Sequence, residues 1–199
     1  VNMSTFLKSL PVREKLLEKK LRLFTRDEFS RLFPVSRDKL KYFLEEQTKK
    51  GLFNRLKNGL YMLKTDPASE MEIANKLYQP SYLSFEYVLA DYGIIPEMPY
   101  AVTSATTKPT RIFTHNGKAY TYQCLKPATF NGYQPVKPVD RVIFIATPEK
   151  ALADYLYFVV LGKKSLNDRL DLAKINRSKL LAYCRLFNRE KLMRLAKKL

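Results

Sequence analysis

Residues 25–63 read TRDEFSRLFPVSRDKLKYFLEEQTKKGLFNRLKNGLYML, a run in which residues that start and stop helices follow one another at short intervals. Thr25, with a glutamate three residues later, has the form of a capping box and predicts a short helix that ends before Pro34. Ser36 is suited to cap a longer second helix, and Gly51 to end it. Two helices joined by so short a turn are typical of a helix-turn-helix.

A β-hairpin is predicted directly after the second of these helices. Leu52–Leu63 contains two strand-like runs separated by Asn58-Gly59, a pair that favours a tight hairpin turn. Ahead of the capping box, apolar residues between Thr5 and Lys20 recur mainly at helical spacing and predict another helix. Three helices followed by a hairpin make a winged helix-turn-helix, which we assign to residues 1–64.

The charge of the chain points to a polyanionic partner. Its 199 residues carry 36 Lys and Arg against 19 Asp and Glu, a formal net charge of +17 at pH 7. Residues 1–64 carry a net +9, residues 65–160 carry −1 and residues 161–199 carry +9. An apolar content of 46% is enough for a buried core and excludes disorder as the main state. One basic end therefore coincides with the predicted winged helix, as expected of a DNA-binding domain.

The winged helix suggests which side chains contact DNA, because its last helix enters the major groove and its hairpin lies along the backbone. Arg37 and Lys41 are the best candidates for base edges, with Tyr42 as a further one, and the residues of the hairpin tip are expected at the backbone. Ser36 and the free amides at the helix start can take a phosphate oxygen. The predicted DNA contacts are Thr25, Arg26, Ser36, Arg37, Lys39, Lys41, Tyr42, Arg55, Lys57 and Asn58.

Two alternatives stay open for these cations. The outer side of an amphipathic helix is often charged only because it is solvated, and many winged helices bind protein instead of DNA. Asp38, Glu45 and Glu46 share the helix with the cations, so only its first turns are expected to meet DNA.

Residues 65–199 are predicted to form a small mixed α+β domain that ends in helices. One helix follows Ser69, and a second, reached through Gln79–Ser84, ends near Gly93. Thr147-Pro148 supplies the N-cap and first position of another helix. Strands are predicted at residues 101–106, 111–115, 119–125 and 141–145, with a hairpin turn at 116–117, and several helices at residues 165–199.

The last predicted helices form the second basic end. Leu186, Leu192 and Leu195 are spaced so that they can face the protein while neighbouring cations face out. This surface can be a solvated amphipathic helix, a second DNA contact or a docking surface for an acidic protein. Its cations are Arg185, Arg189, Lys191, Arg194, Lys197 and Lys198.

No catalytic or metal-binding pattern emerges from the sequence. Cys124 and Cys184 are far apart and fit no metal or redox spacing, and the single histidine, His115, is expected at the surface or in a hydrogen bond. Glu149 and Asp154 share a helix but not a face, and helix capping accounts for Glu149. No apolar run approaches the roughly 20 residues that cross a bilayer. We therefore expect a cytoplasmic protein that is not an enzyme and has no cofactor, metal, membrane or small-molecule partner.

Four short motifs lie in order along most of the chain: Gly59–Leu63, Pro80–Ser84, Tyr92–Ile94 and Ala146–Asp154. In order and spacing they resemble the AbiE-type (AbiEi family) antitoxins of type IV toxin–antitoxin systems, which act in abortive infection. The resemblance implies a winged-helix domain that represses its own operon at inverted repeats of double-stranded DNA. It also implies a C-terminal domain that neutralises a nucleotidyltransferase-like toxin. The two alternatives are a nucleic-acid-processing enzyme that uses its basic ends as a clamp, and a protein-interaction module that binds no DNA.

Overall fold

A computed structural model of the chain describes residues 7–138 and 141–199. The chain divides into two compact units, of which the first ends at Ser69 and the second is Glu70–Leu199. The sequence analysis predicts the boundary after residue 64. Thr5 and Phe6, with which the first predicted helix begins, lie outside the described residues.

The first unit combines helices with a small antiparallel sheet. Its elements are α1 (Ser9–Glu18), β1 (Leu23–Thr25), α2 (Arg26–Leu32), α3 (Arg37–Lys49), β2 (Phe53–Lys57) and β3 (Leu60–Leu63). The strand order is β1-β3-β2, and each strand is antiparallel to its neighbour. This is the expected winged helix-turn-helix, with α2 and α3 as the helix-turn-helix and β2–β3 as the wing. Strand β1, three residues long, was not predicted; it is defined by its pairing with β3.

Local signals start and end the helices of this unit. The Thr25 hydroxyl accepts a hydrogen bond from Glu28 N (3.2 Å), and the Glu28 carboxylate accepts one from Thr25 N (2.7 Å), which is the predicted capping box. Gly51 follows the C-cap of α3 at φ +81°, a conformation that glycine adopts without strain. Ser36 occupies the N-cap of α3, but its hydroxyl makes no capping hydrogen bond, so the predicted side-chain cap is wrong. The turn between α2 and α3 contains a backbone hydrogen bond from Val35 N to the Phe33 carbonyl (2.8 Å).

Aromatic side chains form the core of the first unit. The ring centroid of Phe24 in β1 lies 5.3 Å from that of Phe29 in α2 and 5.2 Å from that of Phe53 in β2. Phe43 of α3 lies 6.4 Å from Phe53. All four rings are buried, as are two leucines on the same side of α3. Packing therefore fixes which face of α3 points inward and leaves the opposite face to solvent.

The second unit is a mixed α+β fold. Its elements are α4 (Glu70–Leu77), β4 (Ser81–Leu83), α5 (Phe85–Asp91), β5 (Val102–Thr106), β6 (Arg111–His115), β7 (Lys118–Cys124), a 3-10 turn (Pro127–Thr129), β8 (Tyr133–Val136), β9 (Ile143–Ala146), α6 (Pro148–Val160), α7 (Arg177–Leu186) and α8 (Glu190–Lys198). The strand order is β6-β7-β5-β4-β9-β8. The β4–β9 and β5–β7 pairs are parallel and the other pairs are antiparallel.

The sheet of the second unit separates α4 from α6. Tyr82 of β4 and Ser84, the residue that follows the strand, point towards α6, where Asp154 accepts hydrogen bonds from both hydroxyls. Tyr122 of β7 points to the other side, and its hydroxyl donates to the Ala74 carbonyl of α4 (2.5 Å). Each face of the sheet is therefore covered by at least one helix, and the core lies in two layers.

The prediction for the second unit is wrong in its helical tail. Residues 162–176 contain no helix, although helices were expected from residue 165 onward. The side chains of Asn167 and Asp171 instead accept hydrogen bonds from the backbone N–H groups of Arg169 (2.8 Å) and Ala173 (3.0 Å). Such local turns compete with helix formation. Strands β4 and β8 were also not predicted.

Leu186 does not face the protein as expected. It is 45% exposed, whereas Leu192 is buried and Leu195 is half-buried. The buried position at the end of α7 belongs to the next residue, Phe187, whose ring centroid lies 4.5 Å from that of Tyr157 in α6. Leu186 is therefore turned towards solvent.

The two cysteines should differ sharply in reactivity. Cys124 is exposed, whereas burial raises the pKa of the Cys184 thiol to about 12. At about pH 8 almost no Cys184 is thiolate, the form that attacks an electrophile. We expect a thiol reagent such as DTNB to modify Cys124 rapidly in the native chain and Cys184 only after denaturation. A Cys124→Ser variant should then show no fast reaction, and a fast reaction in that variant would contradict the assignment.

Candidate nucleic-acid interface

The exposed side of α3 presents cations that have no acidic partner. Arg37 and Lys41 are both exposed, and within residues 7–138 and 141–199 neither side chain forms an ion pair or a hydrogen bond. Because they are four residues apart, they lie one turn apart on the same side of the helix. Their positive charges are therefore available to an anionic ligand.

The remaining predicted contacts on α3 do not lie with this pair. Successive helix residues are about 100° apart around the axis, so Lys39 lies about 160° from Lys41, on the other flank. Tyr42 points outward between the two flanks and is 70% exposed. Asp38 lies one turn before Tyr42 on the same outward side. The structure therefore brings Arg37 and Lys41 together and separates Lys39 from them.

A groove lies between α3 and the wing, next to the row that Arg37 and Lys41 begin. Glu45, one turn beyond Lys41, is one of its lining residues. The cavity has a volume of about 260 Å³ and is lined by Glu45, Thr48, Lys49, Arg55 and Tyr61. The row that Arg37 and Lys41 begin thus continues with an acid, Glu45, which lines the groove together with Arg55 of the wing.

At the tip of the wing, one side chain holds two guanidinium groups. The Asn58 Oδ1 atom accepts hydrogen bonds from Arg26 Nη2 (3.2 Å) and from Arg55 Nη2 (3.1 Å). The backbone N–H of Arg26 also donates to the Gly59 carbonyl (3.2 Å), which fixes the start of α2 against the hairpin turn. We call Arg26, Arg55 and Asn58 the tip cluster. It places two positive charges and the amide donors of Asn58 together at the end of the wing.

Three other predicted contacts have different surroundings. The Thr25 hydroxyl is engaged in the capping box, so its oxygen is already used within the protein. Ser36 is exposed at the start of α3, and Lys57 is half-buried beside the tip cluster. The tip cluster itself joins residues that are about thirty positions apart, which the sequence analysis did not anticipate.

The second unit contains a buried charged cluster that the sequence analysis missed. Lys150 and Asp154 of α6 form an ion pair in which neither side chain is more than 1% exposed. The Asp154 carboxylate also accepts hydrogen bonds from Ser84 Oγ (2.7 Å) and Tyr82 Oη (3.0 Å). Burial raises the pKa of the Asp154 carboxyl, and the neighbouring ammonium and hydroxyl donors oppose that rise. The only sequence signal for this cluster is a Lys and an Asp four residues apart on an otherwise apolar helix.

Glu149 and His115 differ in part from their expected environments. Glu149 lies in the first turn of α6 as predicted, but it is buried, and its carboxylate accepts a hydrogen bond from Asn176 N (3.2 Å) at the start of α7. His115 is half-buried, and its Nε2 atom is enclosed without a hydrogen-bond partner in the described part of the chain. Burial lowers the pKa of His115. Neither residue lies in a group of three or more His, Cys, Asp or Glu side chains that could hold a metal, among the residues described.

The described helices are each too short or too polar to span a bilayer. No protein-family model matches the chain, and a search of curated proteins finds no match either.

Proposed function

We propose that the chain is a DNA-binding transcriptional repressor whose first unit reads a specific sequence in double-stranded DNA. The observation that supports this best is the pair Arg37 and Lys41, exposed on one side of α3 and without an acidic partner among the described residues. The pair lies on the helix that enters the major groove in winged-helix proteins. The proposal also accounts for the net charge of +9 on residues 1–64.

The two groups of cations have different roles in this proposal. Arg37 and Lys41 contact base edges, where an arginine can form two hydrogen bonds to the O6 and N7 atoms of a guanine. The tip cluster and Lys57 contact phosphates, which positions the protein but carries little sequence information. Tyr42 is available for contacts at the groove edge. Lys39, on the other flank of α3, is assigned no base contact.

Fluorescence anisotropy against two duplexes of equal length tests this proposal. One duplex carries the sequence upstream of the chain's own gene, and the other carries the same bases in scrambled order. We expect tighter binding to the upstream duplex across a salt series, with a specificity ratio of about 10³ or more. Equal affinity for the two duplexes at every salt concentration would overturn the proposal. Metal-dependent cleavage of either duplex by the pure protein would favour a nucleic-acid enzyme instead.

Two single substitutions should separate the base contacts from the phosphate contacts. Arg37→Ala is expected to lose about 1–3 kcal/mol of binding to the upstream duplex and to relax the base preference at one position. Lys57→Ala is expected to weaken both duplexes alike and to lower the slope of log K against log salt by about 1. Lys64→Ala, an exposed cation of the same unit outside α3 and the wing tip, serves as the control. Equal effects of the first two substitutions on both duplexes would show that α3 is not the reading element.

We further propose, on the resemblance to AbiE-type antitoxins, that the second unit neutralises a nucleotidyltransferase-like toxin. The toxin is expected in the reading frame adjacent to the gene of this chain. Induction of that frame alone should arrest growth, and co-expression of the full chain should restore it. An Arg37→Ala/Lys41→Ala variant should still restore growth if neutralisation belongs to the second unit. No growth arrest, or an arrest that the chain leaves unchanged, would contradict the antitoxin assignment.

A further inference from the structure

The helices α7 and α8 form a pair at the end of the second unit. They pack against α6 through apolar residues that include Leu180, Phe187 and Leu192. The side chain of Arg177, at the start of α7, donates to the carbonyl of Lys197 near the end of α8 (2.6 Å). The two helices are thereby held with one side against the unit and the other towards solvent.

The solvent side of this helix pair is strongly basic. Residues 177–199 contain eight Lys and Arg and a single acid, Glu190. All eight cations are exposed. Glu190 pairs with Arg194 (2.7 Å), and Arg177 is engaged with the backbone carbonyl. The other six cations make no ion pair or side-chain hydrogen bond within the described residues, and we call them the C-terminal basic face: Lys179, Arg185, Arg189, Lys191, Lys197 and Lys198.

This composition differs from that of an ordinary solvated helix surface. A surface that only serves solubility normally mixes charges of both signs, because like charges repel one another. The outer side of α1 follows that rule, since Glu18 pairs there with both Lys15 and Lys19. The C-terminal basic face has no such compensation in the described part of the chain, which favours an anionic ligand.

The chemistry of the face fits nucleic-acid phosphates better than a protein. The cores of protein interfaces are depleted in lysine and contain buried aromatic or aliphatic anchors. Here four of the six cations are lysines, and Leu186 is the one large apolar side chain of α7 and α8 that is exposed. Lys191 and Lys198 are seven residues apart on one side of α8, about 10 Å along the axis, which matches the rise of about three phosphates on one DNA strand.

We propose that the C-terminal basic face binds the phosphate backbone of nucleic acid, as a contact additional to the winged helix. This inference rests on the proposed function, because the phosphates belong to the DNA that the first unit binds. A contact to phosphates alone raises the affinity for every sequence by the same factor. The preference for one sequence stays with α3.

A matched pair of double variants of the full chain tests this inference. Lys191→Gln/Lys198→Gln removes two charges from the C-terminal basic face. Lys126→Gln/Lys137→Gln removes two exposed charges from the same unit outside that face. Fluorescence anisotropy with the upstream and scrambled duplexes, from about 50 to 300 mM salt, measures affinity and salt slope for each. Far-UV circular dichroism and thermal melting check that both variants stay folded.

The face variant should lower the slope of log K against log salt by about 2 relative to the control, equally for both duplexes. Its specificity ratio should stay that of the unmodified chain. An unchanged slope and affinity in the face variant would overturn the inference. So would a face variant that keeps its DNA affinity but loses binding to an acidic polypeptide such as polyglutamate.

The failure of this inference and that of the proposed function give different results. If the chain has no preference for the upstream duplex, the proposed repressor function fails. The C-terminal basic face is still supported in that case if its variant loses affinity for the scrambled duplex and the control does not.

Discussion

Lys150→Met is expected to lower the free energy of unfolding of the second unit by about 3–5 kcal/mol. The substitution removes the ammonium group next to Asp154 and leaves a carboxylate that is fully buried without its counter-charge. The two hydroxyl donors, from Tyr82 and Ser84, satisfy part of its hydrogen-bonding capacity but do not neutralise it. Urea denaturation followed by far-UV circular dichroism measures the loss. Hydrogen exchange of the α6 peptide, residues 148–160, locates it in this unit.

A double-mutant cycle shows whether the charge is responsible. Asp154→Asn should also destabilise, because it leaves the ammonium of Lys150 buried and unpaired. In Lys150→Met/Asp154→Asn both charges are gone, and the amide oxygen can still accept from the two hydroxyls. We expect this double variant to be more stable than the sum of the single losses predicts, by about 2 kcal/mol or more. Additive losses would mean that packing, and not the ion pair, sets the effect.

Phe29→Ala is expected to destabilise the first unit by about 3–5 kcal/mol. Its ring lies within the aromatic core, 4.6 Å from Phe33 and 5.3 Å from Phe24 between centroids, and is fully buried. The cavity left by the ring loosens the contact between α2, α3 and the sheet, so the proposed sequence-specific DNA binding should fall together with stability. Denaturation and anisotropy on the same samples measure both effects.

Tyr42→Ala is the matched control for the stability effect of this substitution. Tyr42 is also an aromatic residue of the helix-turn-helix, but it is 70% exposed. Its removal should change stability by no more than about 0.5 kcal/mol. A loss of stability as large as that of Phe29→Ala would show that the exposed side of α3 is part of the packing.

The winged helix could be predicted because its signals are local. The Thr25 capping box, Gly51 and the Asn58-Gly59 turn each act within four or five residues, so they can be recognised without the rest of the fold. Strand β1 could not be, because three residues form a strand only when β3 is beside them. Strand β8 was hidden by Pro135, which usually argues against a strand but is tolerated at the edge of a sheet.

The sequence indicates which residue types make up the candidate site, but it indicates less well which of these residues lie together. Helical geometry alone separates Lys39 from Arg37 and Lys41, so this separation can be deduced from the sequence. The contact of Arg26 with Asn58 was not, because it depends on the pairing of β1 with β3. The buried pair in α6 likewise acquires its environment from β4, about seventy residues earlier in the chain.

The hydrogen bonds of Asn58 have an entropic consequence for the first unit. Two arginine side chains that would otherwise sample many rotamers are held by one amide oxygen before any ligand arrives. Immobilising such a side chain on binding costs about 0.5–1.5 kcal/mol, and here the folding of the hairpin has already restricted both. The wing tip is thus preorganised, so an anion that binds there restricts the rotamers of these two arginines little further.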